Sequence, residues 1–154
     1  MEASLINPFI NATRNVLEIM AFIKSEAGKP YLKQGDSAKG DVTGVIGLTG
    51  VANGTISVTF EESTILQIVS NMFGEEISSL NNDVVDAVGE ITNMISGQAR
   101  RELEGLGKVF EAAIPSVITG KNHTISHYAN DAVISIPFKT EKGLFTIEVC
   151  LATT

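Results

Sequence analysis

At 154 residues with 44% apolar content, the chain has the length for one globular domain, residues 1–154, that buries a core of its own. Its 18 acidic residues outnumber 11 basic ones for a formal net charge of −7, and no run of Lys or Arg interleaved with aromatics is present to follow a phosphate backbone, so no nucleic acid is expected as a partner. No apolar run approaches a membrane span, the N-terminal stretch lacks the pattern of a leader, and the lone Cys150 allows no internal disulfide framework.

A cytoplasmic protein without membrane insertion is therefore expected, in which the Asn-x-Thr triplets at Asn11, Asn53 and Asn122 carry no glycosylation meaning. Asn7-Pro8 reads as a helix cap with proline in the first turn, and Phe9, Ala12, Val16, Ile19, Met20 and Ile23 continue at helical spacing for about four turns. After a polar, glycine-containing stretch, Asp41–Gly50 and Thr55–Phe60 read as strands joined by a hairpin-type turn at Ala52-Asn53-Gly54. Gly44, Gly47, Gly50 and Gly54 lie among strand formers with no helix start behind them, so they mark bulges or close backbone approach rather than a phosphate-cradling loop. Glu61-Glu62-Ser63 opens a second helix whose apolar residues are Ile65, Leu66, Ile68, Val69, Met72 and Phe73, and Gly74 ends it.

Asn82 to Gly105 follows with a helical period. Val84, Val88, Ile91, Ile95, Ala99 and Leu106, supported by Met94 and Leu103, form one apolar stripe, while Asp83, Asp86, Glu90, Asn93, Gly97 and Arg100 line another face. Asn81, Asn82 and Asp83 offer acceptors to the first free amides, Arg100 and Arg101 sit where the helix dipole favours cations, and Gly105 and Gly107 stop the helix. Beyond it, Val109–Thr119, Thr124–Ala129, Ala132–Lys139 and Gly143–Leu151 are β-like runs punctuated by Gly120, Asn130-Asp131 and Lys142-Gly143. Segregated helices and hairpin-linked strands predict an α+β fold, in which a mostly antiparallel twisted sheet packs its apolar face on two long helices plus an N-terminal helix.

Glu90 and Asn93 stand about one turn apart on the polar face of the third helix, offering a carboxylate and an amide together to whatever docks there. Polar faces of amphipathic helices are also commonly no more than solvated surface, so Glu-x-x-Asn alone does not decide the matter. Other chemistry finds little support. His123 and His127 fall in a β-like run that does not converge them as metal ligands, and a solvated or edge-strand role fits them better. Cys150, within an apolar final run, reads as a packed thiol. No nucleophile elbow and no Gly-Lys-Ser/Thr phosphate loop occurs.

With this layout the chain resembles the CheX branch of the CheC/CheX/FliY family, chemotaxis phosphatases that act on the response regulator CheY. The family's helix signature is Asp or Ser, three residues, Glu, two residues, Asn, then Pro a little over twenty residues on; here Asp86, Glu90 and Asn93 are followed by Pro115. The run Val45 to Gly50 with Gly54 and Phe60 is similar to the family's hairpin, Met72-Phe73-Gly74 to its second helix end, and Pro115 to Gly120 to the strand after the signature helix. The likeness runs from about Leu5 to Leu151, and one copy of Glu-x-x-Asn, where CheC-type relatives carry two, points to the CheX branch.

The resemblance implies a CheC/CheX-like fold and a protein phosphatase that hydrolyses the aspartyl phosphate of a CheY-type receiver domain. It brings no cofactor of the protein's own, a Mg2+ expected on the partner receiver, and a homodimer joined through its sheets. In this frame Asn93 positions the attacking water and Glu90 pairs with the receiver's lysine; Asp86 has a weaker claim, as orienting group or solvated surface, Pro115 is structural, and Gly97 allows close approach of a partner. A non-catalytic CheX-like module that binds a receiver or another signalling partner is the alternative, and a flagellar-switch subunit like FliY is disfavoured because no additional domain is present.

Overall fold

The computed structural model of the protein describes residues 3–35, 38, 40–121, 123–125, 127 and 132–153. In chain order it runs helix α1 (Ala3–Ala21), short strands β1 (Glu26–Ala27) and β2 (Tyr31–Leu32), the hairpin β3 (Val42–Gly50) and β4 (Ala52–Phe60), helices α2 (Glu62–Phe73) and α3 (Asn82–Gly105), and strands β5 (Phe110–Ala112), β6 (Ser116–Thr119), β7 (Ile134–Thr140) and β8 (Gly143–Thr153). The strands form one antiparallel sheet ordered β1-β7-β8-β4-β3-β5, in which β2 also pairs with β7 and β6 also pairs with β3.

Alternation along the strands sorts the sheet into two faces. The register puts Val42, Phe60, Phe145 and Phe138 in one row and Ile46, Ile56, Val149 and Ile134 in another, and these rows make the apolar face. Phe145 anchors the first row, 4.9 Å from the ring of Phe138 and 5.3 Å from that of Phe60. Helix α3 lies on β3 and β4, α2 reaches β8, and α1 packs on both helices. One core joins them, from Phe9 and Leu17 through Ile65, Ile68, Ile91 and Ile95 to the sheet.

The opposite face is polar yet covered. Thr43, Thr55, Ser57, Thr59, Ser135 and Glu148 are buried there. The Glu148 carboxylate takes Lys33 Nζ at 2.8 Å and His127 Nε2 at 2.9 Å, and the other ring nitrogen of His127 meets the Thr55 hydroxyl. His123 bonds Thr43 and the carbonyl of Gly120. His127 is not the solvated or edge-strand residue expected: its side chain is only 6% exposed, because a carboxylate inside the sheet face needs buried donors, whereas His123 stays half-exposed.

Several expected boundaries move. Helix α1 begins at Ala3, so Pro8 is inside the helix and Asn7 is not its cap. Packing of Leu5 and Ile6 on the core outweighs the amide proton that proline lacks. Ile19 is 63% exposed and Ile23 lies past the helix end, so neither extends its buried stripe. The β3–β4 turn falls at Gly50-Val51, two residues before the predicted one, because Gly50 takes the positive φ (144°) that a side chain resists, and Ala52 to Gly54 already pair with β8. β1 and β2 occupy the polar, glycine-containing stretch before β3, recruited by backbone pairing to β7 rather than by apolar residues of their own.

The run expected as one strand over Val109–Thr119 is two, because the register on β3 slips. Leu48 faces Ala112 but Val45 faces Ser116, and the Ala113 amide bonds the carbonyl of Gly47 at 2.9 Å. Ile114 and Pro115 therefore stand opposite the single residue Ile46, which is a β-bulge. Of the expected strand Thr124–Ala129, Thr124 makes an isolated bridge and Ile125 and His127 are not in a strand, while residues 126, 128 and 129 lie outside the described residues.

Candidate functional site

Helix α3 spans Asn82–Gly105, the range the periodicity predicts, and local chemistry explains its start. Asn81 caps it, its Oδ1 accepting from the Val84 amide at 3.0 Å. The apolar stripe of Val84, Val88, Ile91, Ile95, Ala99 and Leu103 is buried. Leu106, expected in that stripe, is 57% exposed, since the helix ends one residue earlier and the chain turns through Gly107 at φ 82°. The helix is fixed in depth where it crosses β3. A Cβ built on Gly44 would lie 3.0 Å from Thr92 Cβ, 3.3 Å from Val88 Cγ1, and would collide with Thr92 Oγ1, so only glycine lets α3 sit this low. The Thr92 hydroxyl is itself committed, donating to the Val88 carbonyl at 2.7 Å.

On the far side of α3, Asp86, Glu90 and Asn93 are exposed and face β6 across a shallow, open concavity of about 460 Å³, whose other walls are Val85, Gly89, Pro115 and Val117. The four polar and turn residues of the sequence signature, Asp86, Glu90, Asn93 and Pro115, thus meet in one depression. None of the Asp86, Glu90 and Asn93 side chains spends its bonding capacity on another described residue. Gly97, expected on the same face, does not line the concavity, and a Cβ there would come no closer than 3.8 Å to any side chain, so the chain's own packing does not require glycine at that position.

Val117 and Val85 were not legible as site residues. Val117 follows from the bulge: the extra residue re-sets the alternation so that Val117, opposite Gly44, points at α3. Proline at the bulge was the signal for such a break. Among the described residues no group of three or more His, Cys, Asp or Glu side chains gathers where it could hold a metal ion, and no helix is long and apolar enough to cross a membrane.

The exposed carboxylate and amide, on a helix seated against an antiparallel sheet, line an open surface rather than a pocket that engulfs a small molecule. Residues 42–139 match the sequence model of the chemotaxis phosphatase CheX family, and the chain belongs to that family. It is 28% identical over 138 residues, 89% of this chain and 88% of the relative, to the CheY-P phosphatase CheX of Thermotoga maritima. The crystal structure of a chemotaxis protein CheX from Desulfovibrio desulfuricans is 52% identical and superposes with a TM-score of 0.89 over 96% of this chain and 98% of that one. The CheX–CheY–BeF3–Mg2+ complex from Borrelia burgdorferi contains a chain 28% identical, with a TM-score of 0.80 over 96% and 97% of the two chains.

Proposed function

We propose that this protein hydrolyses the aspartyl phosphate of a CheY-type receiver, with Asn93 positioning the attacking water and Glu90 pairing with the receiver's lysine. The observation that carries the reading is the pair itself: an uncommitted amide and carboxylate, one turn apart, presented by a helix whose depth is fixed by Gly44. In the reaction the water oxygen bonds phosphorus as the bond to the aspartate oxygen breaks, the carboxylate leaves without strong protonation, and the water's proton goes to solvent or phosphate. Catalysis of such a step rests on placing the water in line and stabilising the transferring group. An amide suits it because it accepts from water and donates to a phosphoryl oxygen without adding negative charge. A magnesium ion carried by the receiver would offset phosphoryl charge, and the Borrelia complex contains Mg2+.

Glu90 in this reading sets the docking register through an ion pair and does not take a proton from the water. Asp86, one turn earlier, shapes the same wall of the depression. We further place the protein in the cytoplasm as a homodimer joined through its sheet, a reading that rests on the family likeness.

The test is the decay of phosphate on a purified, magnesium-loaded CheY-type receiver, with and without the protein and its Asn93→Ala variant. Acceleration by the wild type that vanishes in the variant supports the assignment; binding without acceleration moves the protein to the non-catalytic class.

A further inference from the structure

The bulge that splits β5 from β6 has an apolar product. By alternation from Ala112, which faces the helices beside Leu48, residue 114 belongs on the apolar face of the sheet. The extra residue opposite Ile46 removes it from that face, and Ile114 is 89% exposed, more than any other large apolar side chain among the described residues. Bulges re-aim side chains next to functional sites. This one is held on both sides, by the Ala113 amide bond to Gly47 and by four registered pairs of β6 with β3, so Ile114 projects from a firm platform. Its neighbour Pro115 is a wall of the concavity that holds Glu90 and Asn93.

We infer that Ile114 is an apolar docking anchor for the phosphorylated receiver, seating on an apolar patch beside the receiver's active site while Glu90 and Asn93 enter it. The inference rests on the proposed function for the identity of the partner. Continuity argues for that occupant: Ile114 adjoins Pro115, a wall of the depression that a partner reaching Asn93 has to enter. The division of labour is apolar affinity at the rim and polar chemistry at the centre, which separates binding from turnover.

The experiment measures steady-state dephosphorylation of a CheY-type receiver, kept phosphorylated by excess acetyl phosphate with Mg2+, by the full chain and its Ile114→Ser and Ile114→Leu variants. Ile114→Ser is expected to raise KM about tenfold, the scale of losing one buried apolar side chain, with kcat and the melting temperature unchanged and with Ile114→Leu restoring KM. An unchanged KM in Ile114→Ser, with the wild type active, overturns the anchor and leaves the phosphatase reading standing. If the wild type is inactive but binds the beryllofluoride-loaded receiver, the phosphatase reading falls and the anchor is read from binding alone: weakening by about tenfold in Ile114→Ser upholds it, and equal binding overturns it.

Discussion

Gly44 of β3 lies directly beneath Thr92 of α3, so close that the smallest side chain would displace the helix carrying Glu90 and Asn93. The height of α3 above the sheet is thus set by one missing methyl group. Gly44→Ala is expected to destabilise the fold by about 1–3 kcal/mol, the cost of overpacking a filled contact, and to lower turnover more than an equally destabilising change elsewhere. Urea denaturation alongside the receiver assay checks both; unchanged turnover in a destabilised variant would show that site geometry tolerates a raised α3.

Asn93→Ala removes an exposed side chain, so its effect on stability should stay within about 0.5 kcal/mol while turnover falls by about two to three orders of magnitude. Receiver affinity should be kept. Glu90→Ala should instead weaken the productive complex and turnover together, and a titration at fixed phosphorylation distinguishes the two variants.

The far face of the sheet predicts an acid dependence. Burial raises the Glu148 pKa, but bonds from His127 and Lys33 outweigh it and hold the carboxyl below its ordinary range. A folded value below the unfolded one stabilises fully above pH about 4.5 and is lost as the pH falls through the folded value. Glu148→Gln should cost about 3 kcal/mol at neutral pH, since it strands the buried Lys33 cation. The gap between the two proteins in urea midpoint should narrow below pH about 4.5; a gap constant through the acid range would refute the ion-pair account.

Phe22 ends α1 in the left-handed conformation, φ 56°, where its amide bonds the Glu18 carbonyl and the Ile23 amide that of Leu17. Glycine fits this position without strain, and Phe22 is 80% exposed, so little packing is forfeited. Phe22→Gly should raise stability by about 0.5–1 kcal/mol after the entropy that glycine costs, read as a rise in melting temperature.

What was legible in the sequence was local. The bounds of α2 and α3 followed from residues that act on their own neighbours, Asn81 as cap and Gly74 at φ 69°, and the core stripe of α3 from its period. The adjacency of Glu90 and Asn93 followed because they belong to one helix and need no tertiary structure to stand together. Features made by distant residues escaped. Lys33, His127 and Glu148 meet only through the sheet, β1 and β2 exist only because β7 offers them an edge, and the bulge is visible only as a slip between two registers on β3. Pro8 misled for the opposite reason, since a strong local rule yielded to packing of the turn before it.

The place of β8 also governs the order of assembly. It pairs with β4 on one side and β7 on the other, yet the ribosome makes it after both. Until residues 143–153 emerge, β4 presents an open edge and the nascent chain holds the finished hairpin and signature helix without the strand that closes the sheet beneath them. Completion of the sheet therefore waits on the last strand to be made. During synthesis that edge is the part of the half-built sheet open to pairing with a wrong strand.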